Sequence, residues 1–339
     1  MGGSGVCDRA LHHGHRPLAS MVALWWGSAV LAVITSKVCL SRGMQPMHLS
    51  LIQFSVATAL LWLVLRLRHN SQEIGAGSKL VRNVAATYAA AFMLTNLAFS
   101  LSSTPFVETI KAGEPVSTCL LAALWLREVD SLATYLTLLP IVAGVALASY
   151  SAHGAHSGHA FVATVASNIG FSARAVLAKR LKKEHPESPC AKSDIVLFYH
   201  VSRIGLCFIA PVVLTHDGYC WLMGAAISTS KLPTSSLVGL ACLNGICFAI
   251  YNCTSFAVLS RVSANSHAVF NLLRRVVIIS TSTIFFSLDV SLWNICGIAI
   301  ALAGGLLYAK VKFATNSRGR NLGFYAGLRT SDVDKLRIV

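Results

Sequence analysis

The chain has 339 residues, of which 55% are hydrophobic and only 12% charged. Soluble domains carry about 25% charged residues, so this composition excludes an ordinary soluble domain and points to a polytopic membrane protein. A formal charge of +15 would suit a nucleic-acid partner, but most Lys and Arg residues fall in short loops between apolar runs, where they orient a membrane protein instead.

Residues 1–18 read as a short polar cytosolic segment. Its His12, His13 and His15 are expected to be polar surface and not a metal site. Asp8 and the shortness of the segment argue against a long, acid-poor transit peptide, which favours the secretory system or the outer membranes of a complex plastid. The first apolar run, 19–40, is too long for a signal-peptide core and lacks a clear cleavage site, so it is expected to remain as a signal anchor. Further runs follow at 47–65, 83–101, 104–126, 132–150, 159–178, 195–214, 235–259, 265–286 and 292–309. Each is near the roughly 20 residues that a helix needs to cross a bilayer. The expected fold is therefore an all-α membrane protein of ten transmembrane helices. The transporter domain is expected to span 19–312, with a cytosolic tail at 313–339.

Charge asymmetry supports that count. Arg66, Arg68, Lys79, Arg82, Arg127, Lys179, Arg180, Lys182, Lys183, Lys192, Arg261, Lys310, Lys312, Arg318 and Arg320 fall on one side of the expected membrane. Little more than Lys37, Arg42 and Lys231 falls on the other. The positive-inside rule places both termini in the cytosol. Ten spans divide into two halves of five, and an odd number per half inverts the second relative to the first. Two inverted five-helix repeats are the architecture of a carrier, with its substrate site on the pseudo-symmetry axis. The run IVAGVALASY (141–150) resembles ALAGGLLYAK (301–310). Aligning Gly144 with Gly304 sets Lys111 opposite Asn271, one turn before Arg274. The same small residues also suit plain close packing of helices.

The fourth run, TPFVETIKAGEPVSTCLLAALWLRE, carries Lys111 and Glu114 in its interior. A charge at that depth is costly and usually faces a polar cavity. Three residues of spacing puts the two on one helix face. Pro115 cannot donate to the Lys111 carbonyl, so a kink is expected there. Arg274 and Arg275 lie inside the ninth run. Arginine forms bidentate bonds to phosphate oxygens and lysine adds a point charge, so Lys111, Arg274 and Arg275 read as an anion site. Glu114 can balance one charge and Glu108 another, leaving an excess cation for a ligand; an internal ion pair tying helices together is the plainer alternative. Tyr251, Thr95 and Asn96 offer polar groups nearby, for the ligand or for interhelical hydrogen bonds. Arg174 reads as snorkelling at a span end, and Arg203 as paired or ligand-facing. His153, His156 and His159 read as a polar loop. Asn252-Cys-Thr matches a glycosylation pattern but lies inside a run, where it is expected to be unmodified. The ten cysteines form no C-x-x-C pair and read as small packing residues. Nucleotide-binding loops and H-E-x-x-H are absent from the sequence, and no pair of intramembrane acids suits acid/base work. No cofactor or metal is called for, and a carrier is favoured over a membrane-embedded transferase.

The stretches LTNLAFS (94–100), TPFVETIKAGEP (104–115), ASNIGFSARAVLAKRL (166–181), YNCTSFAVLSRVSANSHAVFNLLRRVVIISTSTIFF (251–286) and GIAIALAGGLLYAKVK (297–312) occur in order. Over about residues 25–312 the chain resembles the triose-phosphate translocator family of the drug/metabolite transporter superfamily, which includes plastid sugar-phosphate/phosphate exchangers and related nucleotide-sugar carriers. The resemblance implies ten helices in two inverted halves. It implies phosphate binding by Lys111 with Arg274 and Arg275, and a site lined by Thr95 and Tyr251. Three positions depart from the family pattern: Arg274 stands where a lysine is usual, and Phe92 and Glu108 stand where histidines are. The implied phosphate pole is retained and the pole facing the substrate body is altered, with Phe92 and Glu108 as its candidate contacts. Glu114 and Pro115 read as structural. The implied function is an antiporter exchanging a phosphorylated metabolite, of the sugar-phosphate class, for inorganic phosphate or another organic phosphate. The alternative is a Golgi or ER nucleotide-sugar/nucleotide-monophosphate exchanger. The expected partners are the phosphorylated substrate, its phosphate counter-substrate and the lipid bilayer of a plastid or of the Golgi/ER.

Overall fold

The computed structural model describes residues 18–67, 78–127, 129–150, 157–223, 234–259, 261–262, 264–289 and 291–335. The histidine cluster at 12–15, His153, His156 and Lys231 lie outside them. Every element among the described residues is helical. In order these are α1 Leu18–Ser41, α2 Pro46–Leu67, α3 Lys79–Leu101, α4 Thr104–Lys111, α5 Glu114–Leu121, α6 Leu132–Leu136, α7 Leu138–Tyr150, α8 Ser157–Glu184, α9 Pro189–Lys192, α10 Asp194–Leu222, α11 Thr234–Leu259, α12 Ala264–Phe285 and α13 Leu292–Lys335. Among the described residues, seven helices are long and apolar enough to cross a membrane: α1, α2, α3, and most or all of α8, α10, α11 and the first part of α13. Leu124, Trp221 and Ile284 are each more than 70% exposed, as expected of an apolar exterior in lipid.

Two of the three remaining apolar runs are interrupted. The fourth run divides. Ser103 and Pro105 open α4, Ala112 and Gly113 form a turn, and α5 opens with Pro115 in its first turn. Proline is tolerated there because the first N–H groups of a helix have no intrahelical partner. The break thus falls just ahead of the kink expected at Pro115. A π-turn, Ala122–Leu126, ends the run on Arg127 in the left-handed region at φ 55°. The fifth run splits into α6 and α7. The ninth run forms one continuous helix, α12, with Arg274 and Arg275 near its middle. The last helix passes the expected end at 309 and continues to Lys335.

The most extensive packing joins elements of the two halves: α3 with α8, α7 with α13, α1 with α11, and α2 with α10. Close approach of α7 and α13 requires glycine. A Cβ on Gly144 would lie 2.3 Å from the Ala301 backbone nitrogen, and one on Gly297 would lie 2.5 Å from that of Ala148. Side-chain-free contacts of this kind are what helices use where lipid removes the hydrophobic drive to associate. A large cluster built on Phe54, Tyr88, Phe198 and Phe248 joins α2, α3, α10 and α11. A second, with Leu49, Phe106, Val107 and Ile110, packs around α4. Beside it, Lys37 Nζ donates to the carbonyls of Phe99 (2.6 Å) and Ser102 (2.7 Å), pinning α1 to the end of α3.

Candidate functional site

The turn at Ala112–Gly113 interrupts the regular helical hydrogen bonding of the run, with Gly113 N donating to the Ile110 carbonyl at 2.9 Å. Helix α8 adds a donor to a carbonyl on each side of the turn. Asn168 Nδ2 donates to the Ile110 carbonyl at 2.9 Å, and Ser172 Oγ donates to that of Glu114 at 3.3 Å. Fixed in this way, the last turn of α4 and the first of α5 present Glu108, Lys111 and Glu114 to α12.

These side chains meet in a cavity of about 280 Å³. Arg275 is buried and forked between the two halves of the broken run. One terminal nitrogen donates to Glu108 Oε2 and the other to Glu114 Oε2, each at 3.0 Å. Both carboxylates are therefore engaged by one guanidinium. Lys111 and Arg274 make no ion pair among the described residues. Lys111 Nζ donates to Thr95 Oγ1 at 3.2 Å and lies 5.0 Å from the Phe171 ring centroid. Arg274 donates from Nε (3.1 Å) and a terminal nitrogen (2.8 Å) to Asn271 Oδ1. Its guanidinium lies 5.8 Å from the ring centroid of Trp25 and 5.9 Å from that of Tyr251. Cation–π contacts support a cation without neutralising it, so the cavity keeps charge for an anionic ligand.

All seven residues read from the sequence as binding groups line this one cavity: Lys111, Arg274, Arg275, Thr95, Tyr251, Phe92 and Glu108. Glu114 lines it too, whereas Pro115 sits in the helix start behind it. Thr95 is held by the Ala91 carbonyl at 2.9 Å and lies 2.7 Å from Ser167 Oγ, so it bonds between helices and to Lys111 at once. Phe92 packs edge-on against Phe248 (4.8 Å) and Phe171 (5.0 Å), forming an aromatic wall. Asn96 turns to a buried polar chain. Its amide donates to Ser50 Oγ (2.8 Å) and Gln53 Oε1 (2.9 Å), and Gln53 Nε2 donates to Asn244 Oδ1 (2.7 Å).

Trp25, Asn252, Asn271 and His267 are among the lining residues that the sequence reading did not assign to the site. His267 stacks on Trp25 with ring centroids 4.7 Å apart and lies 3.1 Å from Ser255 Oγ. Tyr88 Oη donates to Asn252 Oδ1 at 2.9 Å. Polar residues inside apolar runs were the available signal for Asn252 and Asn271. Arg174 also lines the cavity, 5.0 Å from the Tyr88 ring centroid, instead of snorkelling to a membrane surface. Arg203 is exposed and lies over Tyr199, away from the site.

The model of the Triose-phosphate Transporter family matches residues 17–309. Phosphoenolpyruvate/phosphate translocator 1 of Oryza sativa subsp. japonica is 32% identical over 301 residues, covering 87% of this chain and 72% of its own. A triose phosphate/phosphate translocator of non-green plastids from Brassica oleracea var. botrytis is 31% identical over 91% of this chain and 75% of its own. The xylulose 5-phosphate/phosphate translocator of Arabidopsis thaliana is 29% identical over 63% of this chain and 50% of its own. A solved crystal structure aligns with a TM-score of 0.52 at 13% identity, over 87% of this chain and 96% of the other, which speaks to the fold alone. With a family match that spans residues 17–309, this multi-pass membrane protein belongs to the Triose-phosphate Transporter family.

Proposed function

We propose that this protein is an antiporter that exchanges a phosphorylated metabolite, of sugar-phosphate size, for inorganic phosphate or a second organic phosphate. The observation that carries this reading is the state of the cations. Lys111 and Arg274 project into the cavity without a carboxylate partner among the described residues, while Arg275 holds both Glu108 and Glu114. A dianionic phosphate would supply the missing charge, with Lys111 and Arg274 as its first ligands. Arg275 would orient the broken run and contribute to the field at the phosphate. Thr95 and Tyr251 would contact the body of the substrate, with Phe92 as an apolar wall. The relatives, phosphate translocators of chloroplasts and non-green plastids, support the same chemistry and a plastid-type membrane. They favour it over nucleotide-sugar exchange, as does a cavity of about 280 Å³, at the small end for ligand sites. A carrier of this kind performs no covalent chemistry.

The finer architecture belongs to the proposal. The seven long helices, together with the α4–α5 run, the α6–α7 run and α12, would make ten crossings in two inverted halves, with both termini on the cytosolic, basic-loop side. Packing of first-half helices on second-half helices supports this arrangement.

Exchange follows from electrostatics. Closing an empty cavity would strip water from Lys111 and Arg274, and an uncompensated buried ion costs several kcal/mol. A bound phosphate offsets that cost, so the carrier reorients only when loaded. Purified protein in liposomes is expected to take up labelled phosphate when preloaded with phosphate and to take up little when empty. Equal rates from loaded and empty vesicles would sink the mechanism.

A further inference from the structure

We propose that the indole N–H of Trp25 donates to an oxygen on the body of the cargo, so that the site ranks phosphate monoesters by the hydroxyl or carbonyl groups they carry beyond the phosphate. The inference rests on the phosphate-exchange reading above.

Trp25 lines the cavity from α1 and is only 1% exposed. Two contacts with α12 fix its ring. His267 stacks on it, with centroids 4.7 Å apart and planes 13° from parallel, and the Arg274 guanidinium lies 5.8 Å from its centroid. His267 and Arg274 are two helical turns apart, so both contacts come from one face of α12. A donor whose orientation is already set by packing loses little freedom when a ligand arrives.

The nitrogen of that ring is unused. Trp25 Nε1 is buried and has no hydrogen-bond partner among the described residues. An indole nitrogen can only donate, and buried polar groups are nearly always paired. Neighbouring polar groups of the cavity are already engaged. Asn271 Oδ1 accepts from Arg274, Asn252 Nδ2 donates to the Phe248 carbonyl at 2.8 Å, and Ser255 Oγ lies 3.1 Å from His267 Nε2. The acceptor that Trp25 lacks is one the cargo brings. A phosphate seated on Arg274 would set the carbon chain of its ester beside the indole, whereas inorganic phosphate has no such chain.

The test uses full-length protein in phosphate-loaded liposomes. Exchange of labelled phosphate is competed with glycerol 3-phosphate, or with propyl phosphate, which has the same chain length and no oxygen on its body. Wild-type exchange is expected to be inhibited about fivefold or more in favour of glycerol 3-phosphate, as one or more neutral hydrogen bonds require. Trp25→Phe keeps an aromatic ring and loses the donor. It is expected to narrow that preference by roughly two- to tenfold, the factor of one neutral hydrogen bond. Trp25→His, which keeps a ring N–H, is expected to retain more of the preference than Trp25→Phe. Trp26 supplies the control: its Nε1 is also unpaired among the described residues, but its side chain does not line the cavity. Trp26→Phe is expected to keep the wild-type preference. Equal competition by the two esters in the wild type overturns the inference, and needs no variant to fold. So does an unchanged preference in Trp25→Phe. Loss of phosphate exchange in both Trp25 variants, with a lowered melting temperature, assigns Trp25 to packing and overturns it as well. Absence of any phosphate exchange by the wild type, seen before a competitor is added, would overturn the parent reading and this inference with it.

Discussion

The two elements that build the cationic site do so in opposite ways. The fourth run reaches the cavity by breaking: α4 stops at Lys111, the chain turns through Ala112 and Gly113, and α5 starts at Glu114. Facing it, α12 runs unbroken through Asn271, Arg274 and Arg275. The broken element gains extra hydrogen bonds from α8 at carbonyls on both sides of its turn, whereas the continuous one reaches the cavity through its side chains. Arg274 folds back onto Asn271 of its own helix, and Arg275 reaches across to both halves of the break. The weak element is thus held by the strong one, and one guanidinium supplies the tie.

The sharpest way to break that relation is Arg275→Ala. It strands two carboxylates, one of them almost fully buried. Breaking a buried ion pair by removing one partner costs about 3–5 kcal/mol. A fall in thermal stability of that order is expected in detergent, together with loss of exchange. Adding Glu108→Gln to the same protein should recover part of the stability, because one stranded charge is gone. A melting temperature for Arg275→Ala equal to that of the wild type would mean that the tie does not hold the two elements together.

Lys111→Ala and Arg274→Ala should behave differently. Neither residue neutralises a carboxylate directly, so neither removal strands a partner in an ion pair. The expected effect falls on the ligand. A charged hydrogen bond contributes about 1.5–3 kcal/mol, or roughly ten- to a hundredfold in binding. Exchange at subsaturating phosphate should fall by that factor in each variant while melting temperature changes little. Normal uptake by either well-expressed variant would remove that residue from the phosphate site.

How much of this was legible beforehand follows the same division. Charges inside apolar runs are visible without a structure because lipid makes them expensive, and that alone singled out Lys111, Glu114, Arg274 and Arg275. Pro115 placed the disturbance of the fourth run to within one turn. The pairing was not legible: nothing in the spacing says that Arg275 takes both acids while Lys111 and Arg274 have no ion pair among the described residues. Arg174 was misjudged because the sixth span was ended at 178. The helix continues to Glu184, so Arg174 sits ten residues from its end and beside Tyr88. Trp25 and His267 lie on helices far apart in the chain, and their stacking exists only once α1 and α12 are packed. Glycine at 144 was read in two ways, as a mark of internal symmetry and as a packing residue. Its contact with the backbone of α13 gives direct support to the packing role.

That contact carries a smaller prediction away from the site. A Cβ at position 144 would meet backbone atoms, the Ala301 nitrogen at 2.3 Å and the Gly297 oxygen at 2.7 Å, and backbone cannot rotate aside as a side chain can. Gly144→Ala therefore forces α7 and α13 apart. Overpacking of this sort costs about 1–3 kcal/mol. Lower melting temperature with an unchanged apparent affinity for phosphate is the expected pair of results; a change in affinity without a change in melting would point to the cavity instead.

The smallest effect tests the break itself. Asn168→Ala removes the α8 amide that donates to the Ile110 carbonyl, but that carbonyl also accepts from the Gly113 backbone nitrogen at 2.9 Å. It is not left without a partner. The variant also deletes Asn168 Oδ1, a buried acceptor with no hydrogen-bond partner, which offsets part of the loss. A neutral hydrogen bond contributes about 0.5–1.5 kcal/mol net, so stability should fall by no more than that. The rate of exchange is the more informative readout. If α8 only completes the packing of a turn that α4 and α5 already form, exchange should follow the small change in stability. If α8 sets the angle at which the last turn of α4 offers Lys111 to the ligand, exchange should fall further than stability predicts, with the loss appearing in apparent affinity for phosphate. The second outcome is the one expected, because Lys111 directly precedes the turn and a shift there moves its ammonium group relative to Arg274. Apparent affinity and melting temperature measured on one preparation decide between the two, and an affinity equal to that of the wild type would assign Asn168 to packing alone.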